Sequence, residues 1–96
     1  MTVGFHPDAE AEFQATVRYY ESRLAGLGEE FIAEVERALE LLEEYPTLGS
    51  SYDQPHRRLS LRRFPYSLIY RTDTPVLCII AVAHDNRRPG YWRSRG

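Results

Sequence analysis

The spacing of apolar residues changes period once along this chain, and that change restricts the fold more than any other feature. Ala9, Phe13, Val17, Tyr20 and Leu24 recur at steps of three and four, the mark of one helix with a buried stripe. Pro7, Asp8, Glu10 and Glu12 suit its first turn, because proline needs no N–H partner there and carboxylates favour the positive end of the helix dipole. This helix is expected to end near Gly26, with Leu27 and Gly28 as a short link. Glu29 and Glu30 then open a second helix, striped by Phe31, Val35, Ala38, Leu39 and Leu42 and stopped by Pro46. So short a link predicts an antiparallel helical hairpin, with its outer glutamates in solvent.

After TLGSSYDQPH, read as a turn-rich connection, the period becomes two. Leu59 and Leu61 alternate with Arg58, Ser60 and Arg62, and Tyr66, Leu68 and Tyr70 alternate with Ser67, Ile69 and Arg71. Thr72 to Pro75 reads as a turn. Val76 to Ala83 is almost wholly apolar, as expected of a central strand covered on both faces. With a short opening strand at Val3 to Phe5, the expected order is β-α-α-β-β-β. That is an α+β fold in which a helical hairpin lies on a largely antiparallel sheet ending in a three-stranded meander.

A chain of 96 residues buries a little over ~60% of its unfolded surface, enough for one core, so residues 1–96 read as one domain. Cys78 is the only cysteine, which excludes an intrachain disulfide; within VLCII it reads as a small apolar filler. A reducing cytoplasm is the expected compartment. The start, MTVGFHPDAEAEF, has no basic or apolar leader region, and no apolar run approaches the ~18 residues of a membrane helix. His6 and His56 sit beside prolines without metal-ligand spacing. Neither a Gly-rich phosphate loop nor a nucleophile elbow occurs, so no metal or cofactor is expected.

Charge is unevenly placed. The net is −2, yet residues 1–56 carry three Arg against twelve Asp or Glu (−9), and residues 57–96 carry nine Arg against two Asp (+7). Lysine is absent, and arginine's permanently charged planar fork suits binding of phosphate or carboxylate better than proton abstraction. The tail HDNRRPGYWRSRG, residues 84–96, adds Tyr91 and Trp92 to four arginines. Arginine interleaved with aromatics suits single-stranded nucleic acid, and equally suits rings that fold back over the apolar strand while arginines meet helix glutamates. Our reading divides the labour: the rings close the fold and the arginines they position do the binding. The candidate target-binding residues are Arg58, Arg62, Arg63, Arg71, Arg87, Arg88, Trp92, Arg93 and Arg95, since sequence leaves open whether Trp92 is buried or displayed.

Three separated stretches, RYYESRLAGLGEEFIAEVERALELLEEYPTLG, RRLSLRRFPYSLIYR and HDNRRPGYW, occur in the order and spacing that resembles the RelE/ParE family of type II toxin–antitoxin toxins. The resemblance implies the same fold, no cofactor, and a cognate antitoxin that wraps and neutralises the toxin. It also implies growth inhibition and a part in plasmid stabilisation. RelE-like members cut messenger RNA on the ribosome, whereas ParE-like members poison DNA gyrase without being nucleases.

Metal-free RNA cleavage through the 2′-OH needs a proton acceptor, fixed positive charge and a proton donor for the leaving oxygen. By motif, Arg58 and Tyr91 keep the nuclease character and His84 occupies a basic slot, so these three would be the catalytic residues of an endoribonuclease. Ser60, Ser67 and Asp85 stand where further cations are expected, which favours the gyrase-binding branch. A histidine at a strand end also reads as a hydrogen-bonded structural residue. The antitoxin is expected to lay a helix or strand over the hairpin and sheet, meeting Arg62 and Arg63 with acidic groups. Operator DNA would be contacted through the antitoxin.

Overall fold

The computed structural model describes all 96 residues. Helix α1 (Pro7–Arg23) begins as expected with proline and acids in its first turn, and the His6 Nδ1 accepts the Asp8 N–H at 3.0 Å. Helix α2 spans Leu27–Glu44. The junction differs from expectation: Leu24–Gly26 form the link, and Leu27 and Gly28 already belong to α2. Gly26 has φ of 90°, a left-handed conformation that glycine adopts without a Cβ clash. Leu24, expected on the buried stripe, is consequently swung out and 63% exposed. Gly28 lies where a Cβ would sit 2.8 Å from the Val17 carbonyl, so its lack of a side chain lets the helices approach. The Glu21 carboxylate accepts the Gly26 and Gly28 N–H groups, capping an α2 terminus that has no side-chain cap of its own.

The sheet contains β1 (Val3–Phe5), β2 (Ser50–Ser51), β3 (His56–Ser60), β4 (Tyr66–Arg71) and β5 (Leu77–His84), in the order β1-β5-β4-β3-β2. β3, β4 and β5 form the expected antiparallel meander, and β1 pairs with β5 in parallel. β2 was not expected. Its two exposed serines carry no alternation, and they are strand only because they pair with Arg57 and Arg58.

A bulge accounts for how β5 serves two cores. Opposite β4, Tyr70 pairs with Ile79 and Ile69 with Ala81, leaving Ile80 as an extra residue. Leu77, Ile79 and Val82 therefore face the helices, packing with Phe31, Val35, Leu42 and Leu68. Ile80, Ala81 and Ala83 face away and join Ile69 and Trp92 in a second, smaller cluster. The strand is covered on both faces, as its apolar run implied; the second cover is the C-terminal tail, which ends in a short 3-10 turn (Arg93–Arg95). No helix is long and apolar enough to cross a membrane.

Candidate functional site

The sheet face opposite the helices carries a shallow cleft of about 110 Å³ with Arg58, Ser67, His84, Asp85, Arg87 and Arg88 around it and Ile69, Ala83 and Trp92 beneath. Strand alternation brings Arg58 (β3) and Ser67 (β4) to this face, and the chain leaving β5 adds Asp85. Arg58 Nε donates to Ser67 Oγ at 3.1 Å and its Nη2 to Asp85 Oδ1 at 3.3 Å, while Ser67 Oγ donates to the same Asp85 oxygen at 2.8 Å. Ser60 Oγ lies 3.3 Å from Ser67 Oγ. The three positions that depart from the nuclease pattern thus form one network, and it neutralises Arg58.

The other two nuclease candidates are also engaged. His84 Nδ1 accepts the Asn86 N–H at 3.0 Å, so the neutral ring carries its proton on Nε2, and the ring stands edge-on to Tyr66. Tyr91 Oη donates to Glu12 Oε2 at 2.8 Å. Burial first, and then the Glu12 bond, push the Tyr91 pKa far above its ordinary value of 10.0. A phenol so held is a poor proton carrier near neutrality.

A raised folded-state pKa means the native protein holds this proton more tightly than the unfolded chain does. The stabilisation is complete below pH 10.0 and is lost as pH rises past it. Burial raises Tyr20 and Tyr70 as well, so tyrosinate absorbance is expected to show a late step, coinciding with loss of tertiary structure, whose amplitude falls by one tyrosine in Tyr91→Phe. Ionisation of Tyr91 together with exposed tyrosines would contradict this geometry.

The remaining arginines divide by face and by partner. Arg62 and Arg63 lean to the helix side, where Arg63 pairs with Glu30 at 2.5 Å and Arg62 lines a groove beside α2, so they are separate from the cleft. Arg71 pairs with Asp73 and also donates to the Gly96 carbonyl, and Arg93 pairs with Asp53 at 2.5 Å. Arg95 is largely buried against Glu12 at 2.9 Å, with Asp8 at 3.7 Å. Trp92 is 2% exposed, edge-on to the buried His56 ring at 4.6 Å. Trp92, and Arg95 for the most part, are buried in closing the sheet face rather than displayed on it. Arg87 and Arg88 are exposed and form no ion pair; Arg87 lies 4.0 Å over the Tyr91 ring.

Sequence reading gave Glu12 only a first-turn role. In the structure the first-turn acids are Asp8 and Glu10, and Glu12 lies beyond them and reaches the C-terminal tail, which nothing local marks. Tyr52 was missed too; it walls the cleft and carries the Arg58 guanidinium over its ring at 5.6 Å. No group of three or more His, Cys, Asp or Glu is placed to hold a metal ion.

The model of the ParE toxin of type II toxin–antitoxin systems, parDE, matches residues 3–89. The chain belongs to the ParE toxin family. In fold, this ParE toxin is similar to a solved chain titled "Chromosomal ParDE TA system from P. aeruginosa", with TM-score 0.66 and 20% identity over 88% of this chain and 95% of that one. No curated protein matches by sequence. The family match stops before Tyr91, Trp92 and Arg95, so the tail residues that fasten this toxin's C-terminus lie beyond it while their partner Glu12 lies within it.

Proposed function

We propose that this ParE toxin, a single domain over residues 1–96, arrests growth by binding DNA gyrase rather than by cutting RNA. The contact surface is the exposed Arg87–Arg88 segment, with Arg71 and Arg93 farther along the tail-covered side of the sheet. The observation that carries this reading is the Arg58–Ser67–Asp85 network, which turns the cleft's cation inward onto a carboxylate. Removing one preorganised donor from an active site costs about 10²–10³ in rate. Here His84 and Tyr91 are engaged as well, which disfavours the ribosome-dependent endoribonuclease alternative.

The antitoxin takes a different face. β2 pairs only with Arg57 and Arg58, so the β3 edge is open at Leu59 and Ser60. Beside it lies a groove of about 130 Å³ lined by Ala38, Leu41, Leu59 and Leu61, with Arg37 and Arg62 at its rim. An apolar segment with acidic flanks fits this place, adding to the strand edge while its charges meet the arginines. In this reading the toxin works in the cytoplasm as part of a plasmid-stabilising module whose operator is bound through the antitoxin.

One experiment separates the two faces. Arg87→Ala/Arg88→Ala is expected to weaken inhibition of gyrase supercoiling about tenfold or more while antitoxin affinity is kept. Arg37→Ala/Leu41→Ala is expected to do the reverse. Undiminished inhibition by the first variant, or messenger RNA cuts within codons mapped by primer extension in induced cells, would overturn the reading.

A further inference from the structure

We propose that Glu12 is a positioning residue: through Tyr91 it sets the pose of Arg87 at the contact surface. The inference rests on the gyrase-binding reading and deepens it.

It begins with an uneven edge. β5 runs from Leu77 to His84, but β1 covers only Leu77–Ile79, so the edge is open from the bulge onward. Glu12, on α1 beside that edge, closes it: its Oε1 accepts the Val82 N–H at 3.0 Å and Arg95 Nη1 at 2.9 Å. Its Oε2 accepts Tyr91 Oη at 2.8 Å and Arg95 Nη2 at 3.0 Å. A carboxylate has about four acceptor sites, and all are filled. Arg95 Nη1 also donates to the Ile80 carbonyl at 3.2 Å, so the pair satisfies edge groups on either side of Ala81.

Three of Glu12's four donors come from the tail. Beyond β5 the chain runs through short turns closed by local backbone bonds, and apart from the Asp85 N–H bond to the Pro65 carbonyl it is held to the sheet by side-chain contacts. Trp92 anchors it by burial, and Arg93–Asp53 ties it at the surface. Tyr91 packs beside the Trp92 cluster and has the Arg95 guanidinium, itself held by Glu12, 5.1 Å from its ring centroid. The hydroxyl bond to Glu12 fixes where the ring points, and the Arg87 guanidinium lies over it at 4.0 Å. Without the Glu12 carboxylate the tail stays attached through Trp92, but Tyr91 turns and Arg87 loses its platform.

The test is a double-mutant cycle on the full-length toxin, read by gyrase supercoiling. Glu12→Gln keeps the side-chain volume and one acceptor oxygen, and is expected to weaken inhibition about tenfold, the scale of a lost charge-assisted hydrogen bond. Arg87→Ala is expected to do the same. The double variant should be no weaker than Arg87→Ala alone, because the first change acts through the second residue. Losses that multiply to about a hundredfold would mean that Glu12 acts independently of Arg87 and would overturn the proposal.

Hydrogen exchange of residues 87–92 provides an arm that needs no target. Exchange is expected to quicken about tenfold in Glu12→Gln while β4 amides stay protected. Unchanged exchange overturns the positioning role; wild-type toxin inactive on gyrase refutes only the target, with exchange still deciding for Glu12. If Glu12→Gln fails to fold, Tyr91→Phe, which removes only the bond to Glu12, replaces it in both arms.

Discussion

Trp92→Ala is expected to lower the unfolding free energy by about 3–5 kcal/mol, the usual cost of deleting a buried indole. The ring is 2% exposed and packs on Ile69, Ile80, Ala81 and Ala83, with Tyr52 and His56 against its sides. That cluster is small. Beneath the ring lie two alanines and two isoleucines held by strand geometry, which cannot move in to fill the space. A loss of this size is a large part of the about 5–15 kcal/mol that holds a small protein folded. Urea unfolding followed by circular dichroism measures it, since Trp92 is the only tryptophan and its fluorescence leaves with the mutation. A cost below about 1 kcal/mol would mean a ring displayed to solvent, and would return Trp92 to the target-binding surface.

The second large effect is expected at Glu34, which is 8% exposed although it sits on a helix whose other glutamates face solvent. Its Oε2 accepts the Arg62 N–H at 2.5 Å and the Arg63 N–H at 3.0 Å, fastening the β3–β4 turn to α2. That turn delivers Phe64 to Tyr20 and Phe31, with ring centroids 4.9 and 5.1 Å away. Glu34→Ala strands two amides whose desolvation costs about 1–3 kcal/mol each, so a loss of about 2–4 kcal/mol is expected. Glu30→Ala is the matched control. It breaks the exposed pair with Arg63 and should stay within about 0.5 kcal/mol, as solvent screens such pairs. Equal losses from the two substitutions in thermal unfolding would show that the turn is not sealed by Glu34.

Both predictions concern residues whose surroundings sequence reading could not supply. Glu34 falls among several glutamates of α2, and only the turn arriving from residues 61–64 makes it different. Trp92 was open between clamp and tool because the depth of a ring depends on what lies beneath it. Cys78 is a related case: it is half-buried, and burial raises its thiol pKa, which fits a packing residue with low reactivity. The helix junction was displaced because Gly26, Leu27 and Gly28 offer similar local signals. The left-handed turn at Gly26 and the Glu21 carboxylate decided where α2 begins.

What the sequence determined by itself was the set of long elements and their buried faces: the stripes of α1 and α2, the alternation of β3 and β4, and the two-sided run of β5. A periodic stripe records one element lying against one surface, and that information sits within a few neighbouring residues. Tertiary structure alone decided which charges stay free. Arg58 meets Asp85 across 27 positions and Arg95 meets Glu12 across 83, and both ion pairs exist only because the sheet and tail bring those segments together. An arginine's partner depends on distant chain arriving within a few ångströms, and no local pattern encodes that arrival.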